Sequence, residues 1–415
     1  MGFDMSIMNL RINLQNNISN STLRISGSKS ETNRLLLLQA LFPEVSLKNT
    51  SNSDDSEVMI KALLSNENHI DIHHAGTAMR FLTAYFSTQE GREITLTGSQ
   101  RMQERPIEIL VEALRQLGAA ISYVANPGFP PIKITGKKIT QNKVTLNANV
   151  SSQYISALLL IAPRLENGLE LTLEGKITSV PYIQMTLALL DEIGIDTAFI
   201  GNKITVKPNK SVEPTEITVE SDWSSASYFY SICALSNIGT TITLSSYKQN
   251  SLQGDSFLSE IYESLGVQTV FGTNEMILTK TGTAKNNLVF DLNKTPDIAQ
   301  TIAVTCFGLG TTCHLTGLHT LKIKETDRLE ALHTELTKLG ANISVTNDSL
   351  ILETSATMFP EIKIATYNDH RMAMAFAPLA IKIPLVIEDA TVVSKSYPDF
   401  WYDLKTLGFE VSEID

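Results

Sequence analysis

The chain has 415 residues, 43% of them hydrophobic and 19% charged, with a formal net charge of -11, enough to bury large cores and to favour two or three domains over one. The acidic balance argues against a nucleic-acid partner, which calls for a basic face to replace counterions. The longest apolar runs, "LLLLQALF" and "ALLLIAP", fall far short of a membrane span and the N-terminus lacks a signal pattern, so a cytoplasmic protein with no membrane partner is expected.

In chain order, the strand-like "STLRIS" leads through Gly27, two serines and Lys29 into an apolar helix, "SGSKSETNRLLLLQALF" (residues 26–42). Free N–H groups and the helix dipole suit an anion there, although an ordinary solvated turn has the same grammar. It is not the nucleotide loop G-x-x-x-x-G-K-[ST], since Thr22 stands five residues before Gly27. "AGTAMRFL" (75–82) has a Gly-Thr turn and then Arg80 on an apolar segment, and "RMQERPIEIL" (101–110) sets Arg101 and Arg105 just before Pro106, a residue fit for a first helical turn. These arginines could be anion clamps, although a lone arginine is more often a surface ion pair. Ser151, Ser152 and Gln153 precede one apolar helix, and Ser179 and Tyr182 open another, where hydroxyls can serve as caps. The polar stretch 207–227 reads as a crossing between lobes or a long surface loop.

Further on, Asp297 falls in the first turn of "TPDIAQTIAV". In "LKIKETDRLEALHTELTKLG" (321–340), leucines at helical spacing mark a buried face and Thr326 or Asp327 caps the start. Lys322, Lys324 and Arg328 oppose the dipole there, so an anion is expected, with Glu325 beside it for proton transfer. "YNDHRMAMAFAPLA" repeats the scheme with Asp369, His370 and Arg371. Cys233, Cys306 and Cys313 lack metal-ligand spacing and read as reduced core thiols, and no metal site is expected.

One punctuation recurs. Helical spacing, then glycine, then strand-like alternation appears around Gly118, Gly194, Gly266, Gly340 and Gly408. A period of about 70 residues, too long for a solenoid, implies about six α/β units, with "SEVMIKALLSNENHIDI" a degenerate copy.

Taken in order, "GSKSETNR", "AGTAMR", "RMQERP", "SSQ", "SVPY", "SDWSSASY", "PDIAQTIA", "KETDRL", "NDHRMAMAF" and "SKSYPDF" resemble the 5-enolpyruvylshikimate-3-phosphate synthase family between residues 20 and 405. The resemblance implies an α/β fold with mixed α+β sheets, in two lobes of three similar α/β units packed around buried helices, an inside-out α/β barrel type, with the active site between lobes. It suggests a first lobe of 28–220 and a second of 1–27 plus 221–415, the chain crossing near 20–28 and 218–226. The implied activity is 3-phosphoshikimate 1-carboxyvinyltransferase: the enolpyruvyl group of phosphoenolpyruvate passes to the 5-hydroxyl of shikimate 3-phosphate and phosphate leaves, with no metal or organic cofactor. A cytoplasmic monomer and a glyphosate target are implied too.

Matching motifs assign shikimate 3-phosphate to Ser30, Arg34, Ser151, Ser152, Gln153, Ser179, Tyr182, Asp297 and Lys324. They assign phosphoenolpyruvate to Lys29, Gly76, Thr77, Arg105, Gln153, Arg328, Arg371 and Lys395. Asp297, Glu325 and Lys29 are the implied catalytic residues, for the hydroxyl, the methylene carbon and the phosphate respectively. Thr320, Phe81 and Ser26 depart from the family's usual Asn, Pro and Pro. The related transferase acting on UDP-N-acetylglucosamine is one alternative, although its mobile-loop Cys has no counterpart before Cys233. A non-catalytic phosphometabolite-binding relative is the other.

Overall fold

A helix that is apolar on every side has no face for solvent and belongs inside a fold. The computed structural model, which describes residues 8–18, 20–147, 151–175, 177 and 180–414, divides into two compact units, Gly27–Val219 and Met1–Ser26 with Glu220–Asp415. In the first, the helices Lys29–Leu41, Gly76–Ser87 and Ser152–Ile161 are largely buried and in mutual contact. In the second, Trp223–Leu235 is buried throughout and packs with Ala299–Leu309, which also meets His370–Phe376. Each of these six helices starts in or directly after a polar motif singled out in the sequence, so the apolar bodies anchor the polar beginnings.

Around the buried helices lie two-sided elements. Glu108–Gln116 turns leucines inward and charges outward, as 3.6-residue periodicity requires, and Arg328–Lys338 does likewise except at buried Arg328 and Glu335. The strands form one repeated ladder. His69–Asp71 runs parallel to Glu93–Thr97, which pairs antiparallel with Ile132–Thr135, and that strand pairs antiparallel with Ala120–Tyr123. The register sets Ile94 opposite Ile134 and Leu96 opposite Ile132, all four buried.

The same order recurs in Lys143–Asn147, Leu169–Glu174, Lys203–Val206 and Thr197–Ile200. It recurs again in Ser21–Leu23, Thr241–Ser245, Glu275–Lys280 and Val267–Phe271, and in Leu288–Asp291, Cys313–Thr316, Leu350–Glu353 and Asn342–Val345. In the fifth sheet, Lys363–Ile364 and Leu385–Ile387 are completed by Asn9–Asn13 and Glu410–Ile414. The sixth is reduced to Val45–Lys48 beside Thr215–Thr218. Each sheet is an open ladder with two edge strands, so no sheet closes into a barrel among the described residues.

The five punctuating glycines, Gly118, Gly194, Gly266, Gly340 and Gly408, all have left-handed backbone, with φ from 80 to 102°, which spares the helix ends a Cβ penalty. The stretch 207–227 is not one loop: it contains the strand Thr215–Thr218 and the point after Val219 where one unit gives way to the other. No helix among the described residues is long and apolar enough to cross a membrane.

Candidate active site

Leu329, Leu332 and Leu336 draw the helix Arg328–Lys338 against the core, and Arg328 at its first position goes in with them, 1% exposed. A guanidinium out of water needs acceptors and counter-charge. Asp369 accepts from Nε at 2.7 Å and from Nη2 at 3.4 Å, Asp297 from Nη1 at 2.9 Å, and Glu325 from Nη2 at 2.8 Å. Carboxylates of the distant Asp297 and Asp369 and of nearby Glu325 thus surround Arg328 within the protein. Lys322 lies 3.8 Å from Asp327, and Asp327, not Thr326, is the cap, accepting from the Glu330 N–H.

Asp297 lies in the short turn Pro296–Ile298 that leads into the buried helix Ala299–Leu309. Lys324 Nζ stands 3.2 Å from Asp297 and Arg371 Nη2 3.4 Å. Burial pushes this carboxyl up, but Lys324, Arg371 and Arg328 outweigh it and hold it well below the usual carboxylate range. Asp369 also caps the helix His370–Phe376, accepting from the Arg371 N–H at 2.8 Å. Before it, Tyr367 and Asn368 both have left-handed backbone, φ 54 and 57°, a strained arrangement of the kind that gathers at functional sites. Lys395 Nζ donates to Asn368 O at 2.7 Å and to its Oδ1 at 2.6 Å.

Asp255, in the turn Gly254–Phe257, belongs to this neighbourhood and was not singled out in the sequence. Burial, then nearby Asp297, pushes its carboxyl up to about 6 against the pull of Arg371, and Thr295 donates to it. It lies in a polar loop without helical spacing, so no pattern marks it. The Thr320 hydroxyl is buried with no hydrogen-bond partner among the described residues.

The other unit carries a second set. Lys29 opens the helix Lys29–Leu41, its Nζ 3.8 Å from Asp55 Oδ2. The Ser30 carbonyl accepts from Arg34 Nη1 at 2.7 Å. Arg34 is buried and also donates from Nε to Thr186 at 2.8 Å and from Nη2 to Ser156 at 3.0 Å. Its guanidinium faces the ring of Tyr182, near the start of Val180–Glu192. Ser179 lies outside the described residues.

Gly76 begins the helix Gly76–Ser87, and a Cβ there would stand 2.7 Å from Arg105 Nη1. Only glycine leaves the guanidinium that room. Arg80 is buried, donating to the carbonyls of Gly76 at 3.0 Å and Pro106 at 3.3 Å, with Tyr154 beneath it. Burial, then Arg105, lowers its pKa. Arg80 is therefore an internal brace beside exposed Arg105, whereas Arg101 is an exposed ion pair with Glu104. Gln153 Nε2 donates to Thr77 Oγ1 at 3.1 Å, and Ser151 caps its helix by accepting from the Gln153 N–H, with Ser152 buried next to it.

In this unit Gly76, Thr77, Arg105 and Gln153 thus come together, and Ser30, Arg34 and Tyr182 form a neighbouring group. In the other unit Asp297, Lys324, Glu325, Arg328 and Arg371 make one cluster of charges. Fixed arginines and lysines of this kind suit phosphate and carboxylate ligands.

The architecture is that of solved enolpyruvyl transferases. It aligns over 98% of the chain with all of an EPSP synthase from Acinetobacter baumannii, TM-score 0.81 at 22% identity. It also aligns with 99% of the enolpyruvyl transferase NikO from Streptomyces tendae, TM-score 0.73 at 15% identity. Residues 61–404 match the family model of EPSP synthase (3-phosphoshikimate 1-carboxyvinyltransferase), and the chain belongs to that family. A relative in Bacteroides fragilis named 3-phosphoshikimate 1-carboxyvinyltransferase is 48% identical over 94% of this chain and 96% of its own. One in Haemophilus influenzae with the same name is 36% identical over 93% and 96%.

Proposed function

We propose that this member of the family transfers the enolpyruvyl group of phosphoenolpyruvate to the 5-hydroxyl of shikimate 3-phosphate and releases phosphate. The observation that carries the residue assignments is the knot at buried Arg328, which ties Asp297 and Glu325 to Lys324 and Arg371 within one cluster of charges.

Addition forms a bond from the 5-oxygen to the enol carbon. The hydroxyl proton goes to Asp297 and a proton reaches the methylene carbon from Glu325. Elimination returns a proton from the new methyl group and breaks the bond to phosphate, assisted by Lys29. Asp297 as it stands is a weak base, because three cations hold its proton affinity down. Anionic substrates compete for Lys324 and Arg371, and each contact they take relaxes that hold. Binding thereby prepares the base. Arg328, Arg371, Lys395, Arg105, Gly76, Thr77 and Gln153 are assigned to phosphoenolpyruvate. Ser30, Arg34, Ser151, Ser152, Gln153, Ser179, Tyr182, Asp297 and Lys324 are assigned to shikimate 3-phosphate. Preorganised cations of this sort stabilise charge with little reorganisation. A cytoplasmic monomer, with lobes of 28–220 and of 1–27 plus 221–415, belongs to the same reading.

Phosphate release from phosphoenolpyruvate, measured with shikimate 3-phosphate and with UDP-N-acetylglucosamine, tests it. Turnover with the first alone is expected. Turnover with the second alone, or with neither, rejects the reading. Asp297→Asn and Glu325→Gln are each expected to lower kcat by on the order of a hundredfold.

A further inference from the structure

Arg34 is a buried cation with no directly paired carboxylate. It is 2% exposed, and among the described residues no carboxylate stands at ion-pair distance from it. Its acceptors are the neutral oxygens of Thr186, Ser156 and Ser30, one for each nitrogen. An arginine has five N–H groups, so three bonds fix the plane of the guanidinium and leave donors over. Burial lowers its pKa to about 10, with Tyr182 and Glu31 acting in the opposite sense.

With buried Glu31 acting on it only at longer range, two aromatic rings take the place of a directly bonded counter-ion. Arg34 Cζ lies 5.5 Å from the centroid of Phe81 and 5.8 Å from that of Tyr182. Phe81 is fully buried, on the helix Gly76–Ser87, one turn from the group formed by Gly76, Thr77, Arg105 and Gln153. A ring face attracts a cation through its quadrupole and excludes water, yet it leaves the net charge in place. A carboxylate in the same position would hold Arg34 as firmly but would cancel the charge that an anionic ligand has to find.

We propose that Phe81 is a positioning residue for the reaction: its ring holds the Arg34 guanidinium, still charged and shielded from water, in the orientation that receives shikimate 3-phosphate. The proposal rests on the reading that Arg34 meets that substrate. A packing role alone would be filled by any apolar side chain of similar bulk. A positioning role requires the ring and is felt only through Arg34.

The test uses the full chain, with calorimetric binding of shikimate 3-phosphate and steady-state phosphate release. Phe81→Leu and Phe81→Met keep apolar bulk and remove the ring, and the second serves if the first does not fold. Each is expected to weaken shikimate 3-phosphate binding about five- to tenfold, with KM for phosphoenolpyruvate and kcat changed less than about twofold. In an Arg34→Gln background, itself weaker in binding, Phe81→Leu is expected to add nothing, because the cation is gone. Wild-type affinity in both Phe81 variants, or an equal loss with and without Arg34, overturns the proposal while normal wild-type turnover leaves the functional reading standing. A wild-type protein that neither binds shikimate 3-phosphate nor releases phosphate overturns both.

Discussion

Substituting Gly76 by Ala separates stability from substrate binding in one residue. The added Cβ would lie 2.7 Å from Arg105 Nη1, 3.1 Å from Nη2 and 3.2 Å from Cζ. A comfortable heavy-atom contact is about 3.5 Å, so the guanidinium must withdraw by about 0.8 Å. Arg105 is exposed, and the withdrawal of a flexible tip costs the fold little. The backbone gains instead, by up to about 0.5–1 kcal/mol for Gly to Ala in a helix. The melting temperature is therefore expected to hold or rise slightly. If Arg105 clamps phosphoenolpyruvate, displacing it by nearly an ångström lowers kcat/KM for that substrate by on the order of ten- to a hundredfold, with the KM for shikimate 3-phosphate within about twofold. Phosphate release with each substrate varied in turn measures both. Gly282→Ala, where an added Cβ meets nothing within 4 Å, is the control. A kcat/KM for phosphoenolpyruvate unchanged in Gly76→Ala refutes the assignment of Gly76 and Arg105 to that ligand.

Three further outcomes are expected. Arg328→Met leaves Asp297, Glu325 and Asp369 without their shared cation and destabilises the protein by about 3–5 kcal/mol, readable in urea unfolding; a loss under about 1 kcal/mol would contradict the account of the knot. Asp255 has its folded pKa raised to about 6, so ionising it costs stability as pH rises from the ordinary carboxylate range through about 6. Asp255→Asn removes that cost, and its stability relative to wild type should grow over that interval by up to about 3 kcal/mol; a pH-independent difference rejects it. Cys233, Cys306 and Cys313 are buried, and burial pushes the Cys233 thiol up to about 12, so a disulfide reagent should find no thiol in the native protein and three after denaturation. Rapid reaction of the native protein speaks against that burial.

What could be read from the sequence was local. Apolar runs after "GSKS", "AGT", "SSQ" and "PDI" announced the buried helices, and each of the five glycines ends its helix in the left-handed conformation because no other residue does so without strain. The helical spacing of Leu329, Leu332 and Leu336 placed the buried face correctly. What escaped was juxtaposition at long range. Nothing in "KETDR" shows that Asp369, forty-one positions on, takes Arg328 Nε, and nothing near Arg80 reveals that it turns inward to brace Gly76 and Pro106. The two-stranded remnant of Val45–Lys48 and Thr215–Thr218 likewise joins segments with most of a unit between them, so its shared role had no local signature.

The sheet that takes Asn9–Asn13 between Leu385–Ile387 and Glu410–Ile414 sets a timetable for synthesis. Both partners of that strand follow it by more than 370 residues. At about 5–20 residues per second, the strand waits on the order of 20–80 s for its second neighbour. Gly27–Val219 is contiguous and has no such delay. During the interval Leu10 and Ile12, buried in the finished protein, lack the strands that flank them there. A chain that stops short of Glu410 keeps one side of Asn9–Asn13 unpaired for good, and an unpaired strand edge is a template for another chain.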